Sequence, residues 1–443
     1  MNTPEVPAPP SAAPAARPDP ADPAGRPAAG PRRAMFIVFL VVFIDLLGFG
    51  IVLPLLPRYA GHYLPVIPEA ARGAALGLLY SIFSLMQFVF SPVWGRVSDR
   101  VGRRPVLMIG LAGSVAFYAL FGFASNLPAD AAWLALGLLF VSRLGAGVAG
   151  ASVSTAAAVI ADCTTRENRA KGMALIGAAF GIGFTFGPLI GYVGLELFEG
   201  QPWAPGVAAA VLSLAALILA VRLLPETRAP GGAVAGKEWF SVSRTMEVLR
   251  TPTVGALALI YFLVIFGFAN FEGTLALLTR DALGLTDDRD NFLIFAYVGL
   301  VLMVVQGGVY RRLVGTLPVE SLLTAGVVMM LLGLCGVAAV AANPLGLGRG
   351  GLYALFFVVT ALAVAGFSFV NPSVSALVSR RSDPNRQGEV IGVNQSFAAL
   401  GRILGPFLGL VLFEADPNRV APYLAAVGLL VLVVALLPRV RAA

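Results

Sequence analysis

Histidine and cysteine are nearly missing from this 443-residue chain, which holds one histidine, His62, and two cysteines, Cys163 and Cys335. One histidine argues against a histidine proton relay or metal centre. Two cysteines this far apart make neither a disulfide framework nor a metal-ligand spacing. Charge is scarce too: 12% of residues are Asp, Glu, Lys or Arg, against about a quarter in soluble domains. No Gly-x4-Gly-Lys-[Ser/Thr] loop occurs, which argues against ATP drive. No nucleophile–base pairing is visible either, so no enzyme is expected. Residues 1–33 are rich in Ala and Pro and have no early apolar run. They are expected to be a disordered tail rather than a signal peptide.

What the chain has in abundance is apolar surface, with 58% hydrophobic residues and a mean hydropathy of +0.84. A net charge of +7 raises nucleic acid as a partner. However, the basic residues sit in short clusters between apolar runs, which is a topology signal, and no nucleic-acid binding is expected. Runs of 17–25 apolar residues mark membrane spans. They fall near 35–57, 75–97, 106–123, 131–160, 173–195 and 207–224, then, after a polar stretch, near 254–278, 291–310, 322–342, 352–378, 391–413 and 423–437. The fourth run is long enough to tilt or protrude. With the N-terminus inside, 23 of the 31 Lys and Arg residues fall on the cytoplasmic side, six outside and two, Arg143 and Arg402, within spans. That asymmetry places both termini in the cytoplasm of a cell (inner) membrane protein.

The longest charged insert is Gly95-Arg96-Val97-Ser98-Asp99-Arg100-Val101-Gly102-Arg103-Arg104-Pro105. It reads as a short cytoplasmic loop, with Gly102 at a tight turn and Pro105 in the first turn of the next helix. Gly95 reads as a site of close helix approach. The basic residues are explained by topology, whereas Asp99 is expected to contact the N-terminus of the eleventh span, where the helix dipole favours a carboxylate, and so to latch one state.

The two halves echo one another. Gly183-x-x-x-Gly187-Pro188-x-x-Gly191 in the fifth span recurs as Gly401-x-x-x-Gly405-Pro406-x-x-Gly409 in the eleventh, each preceded by a basic loop (166–171 and 380–386). Gly307-Gly308-Val309-Tyr310-Arg311-Arg312 echoes the charged turn without its aspartate. These glycines are expected to pack helices closely and the prolines to let them bend. A duplicated six-span bundle is thus expected, with the substrate site between the halves near the bilayer midplane.

Several motifs together resemble the major facilitator superfamily. The turn Gly95…Asp99-Arg100-x-Gly102-Arg103-Arg104 is similar to its loop between spans two and three. Arg143-Leu144-Gly145-Ala146-Gly147 resembles the fourth-span motif of its drug:proton antiporters. The Gly183–Gly191 segment resembles their fifth-span motif, with Tyr192 where a further glycine is usual. Phe43 to Pro54, Leu224-Pro225-Glu226-Thr227 and Phe271-Glu272-Gly273-Thr274 resemble the tetracycline-exporter-like branch. The resemblance covers about residues 35–438. It implies an all-α polytopic membrane protein with twelve transmembrane helices in two six-helix bundles, 34–224 and 253–438, joined by a cytoplasmic linker, 225–252.

Charges inside spans cost about 2.5–3.5 kcal/mol each and ask for a function. Asp45 reads as a proton carrier, and the resemblance makes Arg143 its partner, permanently charged and able to bias it. The resemblance gives Glu272 a part in proton or substrate binding. Arg402 is open to either Glu272 or an anionic substrate. Gln87, Asn270, Asn371, Asn394 and Gln395 are the uncharged candidates for the cavity, each equally able to bond helix to helix. The expected function is proton-coupled export of small apolar or cationic organic molecules by alternating access. The proton gradient is the only energy source and no cofactor or metal is expected. The alternative is transport of a small organic anion or sugar. The protein is expected to work as a monomer with substrate, protons and lipid as its partners.

Overall fold

The computed structural model describes residues 31–164, 169–227, 246, 252–381 and 387–441. The side chains of 31–34, 45, 161, 169–178, 180–181, 252, 379, 387–389 and 441 fall outside that description. The expected N-terminal tail, most of the 225–252 linker and parts of both basic loops therefore lie outside the described residues. So does the side chain of Asp45.

Among the described residues the chain is helical throughout, with no strand. Eleven helices are long and apolar enough to cross a membrane: Met35–Val66, Glu69–Val101, Arg103–Ser125, Ala129–Ile160, Ala204–Leu223, Thr253–Leu283, Asp288–Leu313, Val319–Ala342, Arg349–Val378, Val390–Ala415 and Ala421–Val440. The helix Arg169–Leu197 takes the fifth place, with Ile182–Leu197 as its described apolar part. Spans are numbered below in that chain order. Their ends follow local chemistry. Pro54 and Pro57 sit in first-turn positions of a 3-10 turn and a helix that carry span 1 outward to Val66. Asn343 closes span 9 in the left-handed conformation, with φ of 40°.

Three sequence expectations change in detail. The charged stretch from Gly95 to Val101 is not a loop but the last two turns of span 2, and only Gly102, with φ of 103°, breaks the helix before Arg103 starts span 3. A bond from the Gly102 N–H to Ser98 O closes the helix, so the chain reverses within one residue. Span 4 is not one continuous rod: it is two helices, Ala132–Gly150 and Val153–Asp162, joined at Ala151–Ser152. The echo at Gly307–Arg312 also lies within a span, where residues Val305–Tyr310 are π-helical. Two adjacent glycines with open space around them leave that turn free to widen.

Small residues let the helices pack backbone to backbone within each half. A Cβ on Gly187 would stand 2.8 Å from Gly50 Cα, and one on Gly183 2.9 Å from Leu46 Cβ, so span 5 rides directly on span 1. In the other half Gly405 would meet Phe266 O at 2.5 Å and Gly401 would meet Phe262 O at 3.0 Å, so span 11 rides on span 7. The repeated motif therefore sits on equivalent helix pairs in the two halves. Pro188 and Pro406 lie inside helices that continue past them.

The halves meet unevenly. Among the described residues, the hydrogen bonds, ion pairs and glycine contacts that join them all lie from mid-span to the end opposite the arginine-rich turn. Gly73 and Gly77 of span 2 pack on Val411 and Phe407 of span 11. Gly191 of span 5 packs on Phe292 of span 8, and Thr185 Oγ1 donates to Gly299 O at 2.9 Å. At the very end Arg58 pairs with Asp288 at 2.8 Å and donates to Leu285 O, Asn291 Nδ2 donates to Pro54 O at 2.6 Å, and Arg289 pairs with Glu196 at 2.9 Å. One end of the molecule is sealed across its two halves. The hydrogen bonds and ion pairs among the described residues at the arginine-rich end stay within a half.

The turn before span 12 shows how an exposed carboxylate is used at the sealed end. Asp416 accepts from the backbone N–H of Ala421 at 2.7 Å, Asn418 at 3.0 Å and Val420 at 2.8 Å. These bonds, that from Ala421 foremost, hold its pKa below the ordinary carboxylate range. The stabilisation is present above the unfolded-state value and is lost as pH falls through the lowered one. Melting temperature is therefore expected to fall on acidification below about pH 4, and to fall less steeply in Asp416→Asn. Identical acid profiles for the two proteins would contradict this.

Candidate functional site

The site is assembled from two layers. The first is the arginine-rich turn. Glu226, just beyond span 6, accepts the backbone N–H of Arg103 at 2.8 Å and of Arg104 at 3.0 Å. It thereby caps the open N-terminus of span 3, where four N–H groups have no helical partner and the dipole favours an anion. A Cβ on Gly102 would stand 2.5 Å from Glu226 Oε2, so the turn needs glycine for space as well as for its φ. The Arg103 side chain is buried and is held by Asp99 at 2.8 Å, Asp162 Oδ2 at 3.1 Å and Ser98 Oγ at 2.6 Å. Arg104 Nη2 donates to Val221 O at 2.5 Å, and Arg100 is exposed.

The described partner of Asp99 is thus Arg103, one helical turn away in its own half. The N-terminal side chains of span 11, which Asp99 was expected to reach, lie outside the described residues. Among the described residues Gly95 has open space where a Cβ would be, and none of them makes the close approach expected there. Glu226 and Asp162 are the members that sequence reasoning missed. A carboxylate standing alone just past the last apolar residue of a span was the available signal for both.

The second layer lies mid-membrane, where the seal between the halves ends. Arg143 is 1% exposed, and none of its three guanidinium nitrogens has a hydrogen-bond partner among the described residues. Its guanidinium lies over the ring of Phe83 at 4.7 Å and near that of Phe49 at 5.8 Å. A desolvated cation–π contact is worth about 2 kcal/mol, less than the several kcal/mol that burying an unpaired ion costs. Arg143 therefore calls for a counter-charge. Asp45, its expected partner, lies one turn before Phe49, but its side chain is outside the described residues.

Glu272 is half-buried on span 7, and Arg402 presents an exposed side chain on span 11 although protein surrounds it at that depth. The two are within electrostatic reach, yet no ion pair joins them among the described residues. Arg402 also lies near Tyr261, whose hydroxyl donates to Asn371 Oδ1 at 2.7 Å. Tyr80 of span 2 lies within electrostatic reach of Arg143 in its own half and of Glu272 in the other. Its hydroxyl is buried without a hydrogen-bond partner. Sequence reasoning overlooked it, because a tyrosine in an apolar span carries no signal apart from what faces it.

The uncharged candidates divide. Gln395 is exposed, one heptad from Arg402 and on the same helix face. Gln87 is half-buried and donates to Gly150 O at 3.2 Å, bracing span 4 at its break. Asn394 is 3% exposed. Asn270, placed in the cavity from sequence, is fully buried instead: its Nδ2 donates to Pro422 O at 3.0 Å, and a Cβ on Gly409 would meet its Oδ1 at 2.5 Å. It ties spans 7, 11 and 12 together.

Buried charges gathered between two six-span halves are the architecture of a transporter rather than an enzyme. The comparisons with known proteins agree. The Major Facilitator Superfamily model matches residues 38–406 and 313–443. "Major facilitator superfamily domain-containing protein 10" from Bos taurus is 30% identical over 413 residues, covering 84% of this chain and 86% of that one. "Tetracycline resistance protein, class E" from Escherichia coli is 27% identical over 410 residues, covering 91% and 94%. The crystal structure of the human organic anion transporter MFSD10 (TETRAN) superposes with a TM-score of 0.61 at 28% identity, over 92% of this chain and all of that one. With a family model spanning nearly every helix and relatives aligned over both halves, the chain belongs to the major facilitator superfamily of membrane transporters.

Proposed function

We propose that the chain is a secondary active exporter that exchanges small organic molecules for protons across the inner membrane. The observation that carries this reading is the position of Arg143, Glu272 and Arg402 at the depth where the seal between the halves ends. Positive charge concentrates at the end where no contact joins the halves among the described residues, which supports reading that end as cytoplasmic and the state as inward-facing. In it, Glu272 and Arg402 are reached from the cytoplasm. Rocking the halves about this level would open the sealed end and present the same groups to the outside. Asp45, Glu272 and Arg143 handle the proton, and the Gly95–Arg104 turn couples the cytoplasmic ends of the spans. The likeness to tetracycline resistance proteins supports a drug-like cargo.

A second reading is favoured by one observation of its own. Arg402 is an accessible cation without a described partner, and the relative of known structure is titled an organic anion transporter. On that reading the cargo is an organic anion.

Reconstituted vesicles separate the two. With tetracycline as the probe and an imposed pH gradient, accumulation is expected in the compartment from which protons leave. It is expected to drop to the no-gradient level in Asp45→Asn and to fall by about tenfold, or roughly 1.4 kcal/mol, in Glu272→Gln. Gradient-driven uptake that survives in both variants would remove proton coupling from these residues. Transport of an aromatic carboxylate with no response to the gradient would favour the second reading.

A further inference from the structure

We infer that Glu272 and Arg402 together form a dipolar receptor for a zwitterionic amphiphile, whose acid group docks on Arg402 and whose ammonium docks on Glu272. The inference rests on the transport reading above and names its substrate class.

Opposite charges on packed helices within electrostatic reach of one another attract. Collapse into a direct pair is the expected outcome unless something holds them apart, and no such pair is formed among the described residues. The helices that carry them cannot adjust. Span 11 lies so close on span 7 that a Cβ on Gly405 would stand 2.5 Å from Phe266 O, and one on Gly273 3.0 Å from Pro406 Cβ. These are backbone-level contacts, one turn or less from Arg402 and next to Glu272. Rotation of either helix would drive backbone into backbone. The glycine–proline motif that packs the helices thus fixes the two attachment points, from which the charges stand as an unpaired plus and minus.

Both groups are accessible. Arg402 is exposed and Glu272 half-buried, and Gln395 is exposed on the same face of span 11, two turns nearer the open end. A molecule entering there meets Gln395 first and Arg402 next. The Tyr261 hydroxyl proton is committed to Asn371 Oδ1. The hydroxyl oxygen is left as a neutral acceptor near Arg402, weaker than a carboxylate, which the planar fork binds in two-point fashion. The apolar body of the ligand has an aromatic wall in Phe262 and Phe397, which meet edge to face at 6.3 Å, and in Phe266, 6.1 Å from Phe262. A simple cation placed at Glu272 lies in the repulsive field of Arg402, and a simple anion at Arg402 lies in that of Glu272. Only a ligand carrying both signs is attracted by both.

The test uses one fluorescent body in three charge forms: Nε-dansyl-lysine (zwitterion), its methyl ester (cation) and its Nα-acetyl derivative (anion). Equilibrium binding to the full chain in nanodiscs, with no gradient, is read by dansyl fluorescence. The zwitterion is expected to bind at least about tenfold more tightly than either relative. In Arg402→Gln its affinity should drop to that of the ester, with Arg402→Lys restoring part of the difference. In Glu272→Gln the N-acetyl form should rise to match the zwitterion. Ester binding equal to zwitterion binding in the unaltered chain overturns the inference. So does an equal loss for all three probes in Arg402→Gln, or no saturable binding of any. Because no gradient is used, a chain that shows this charge pattern yet fails to exchange protons would overturn the transport reading alone.

Discussion

Asp288→Asn is expected to open the sealed end of the protein. Arg58 is nearly fully buried at its 2.8 Å contact with Asp288, whose side chain is 29% exposed. Removing one partner of a buried pair leaves the other charge uncompensated, at a cost of about 3–5 kcal/mol. The partial exposure of Asp288 puts the effect near the lower figure. Asparagine keeps an acceptor for Arg58 and the Leu285 carbonyl remains, so the change is in charge rather than shape. A loss of about 3 kcal/mol from one of two states alters their ratio by roughly a hundredfold. The rest of the seal cannot absorb that. Arg289–Glu196 is an exposed pair, worth about 1 kcal/mol at most. The measurement is the distance between spin labels at Ala70 and Leu345, both exposed near the sealed end on opposite halves, with Cys163 and Cys335 replaced. A shift from the short to the long distance is expected. An unchanged distribution would show that the pair decorates the seal without holding it.

Gly405→Ala is expected to damage both fold and function. The added Cβ would stand 2.5 Å from Phe266 O and 3.1 Å from Asn270 N, both backbone atoms with no side-chain freedom to retreat. Overpacking of this kind costs about 1–3 kcal/mol. The two helices it forces apart carry Glu272 and Arg402. Melting temperature should fall, and affinity for the dansyl zwitterion should fall with it. Gly392→Ala is the matched control on the same span, because a Cβ there meets nothing within 4 Å. Equal behaviour of the two variants would mean that helix propensity, which favours alanine, outweighs the contact.

Much of this was legible in the residues. The number of spans followed from the length of apolar runs, because a bilayer leaves the chain little choice but to satisfy its backbone within helices. The duplication was readable from Gly183–Gly191 and Gly401–Gly409, whose spacing keeps the small residues on one helix face. Mid-span charges stood out because their cost is set by the membrane and not by their neighbours. Gly102 was identifiable as the turn, but the helix through Gly95–Val101 was not. Charge density suggested a loop, whereas the helix runs to the last residue before the glycine, closed by the Ser98 carbonyl, and the Asp99–Arg103 pair spans the turn beyond it.

Neighbours across the bundle were not readable. Asn270 and Gln395 are both amides in apolar spans, and nothing in sequence separates them. One is buried against Pro422, and the other faces open space. Likewise, no local pattern joins Glu226 to the start of span 3 or brings Tyr80 within electrostatic reach of both Arg143 and Glu272. By itself the sequence determined the spans, their repeat, the distribution of positive charge and the presence of buried ions, because each is set by the chain in contact with lipid and water. Only the tertiary structure decided which end is sealed, which polar groups line open space and that Glu272 and Arg402 stay unpaired. Those depend on how closely separate helices approach, and that distance is fixed by glycines more than a hundred residues from the backbone they touch.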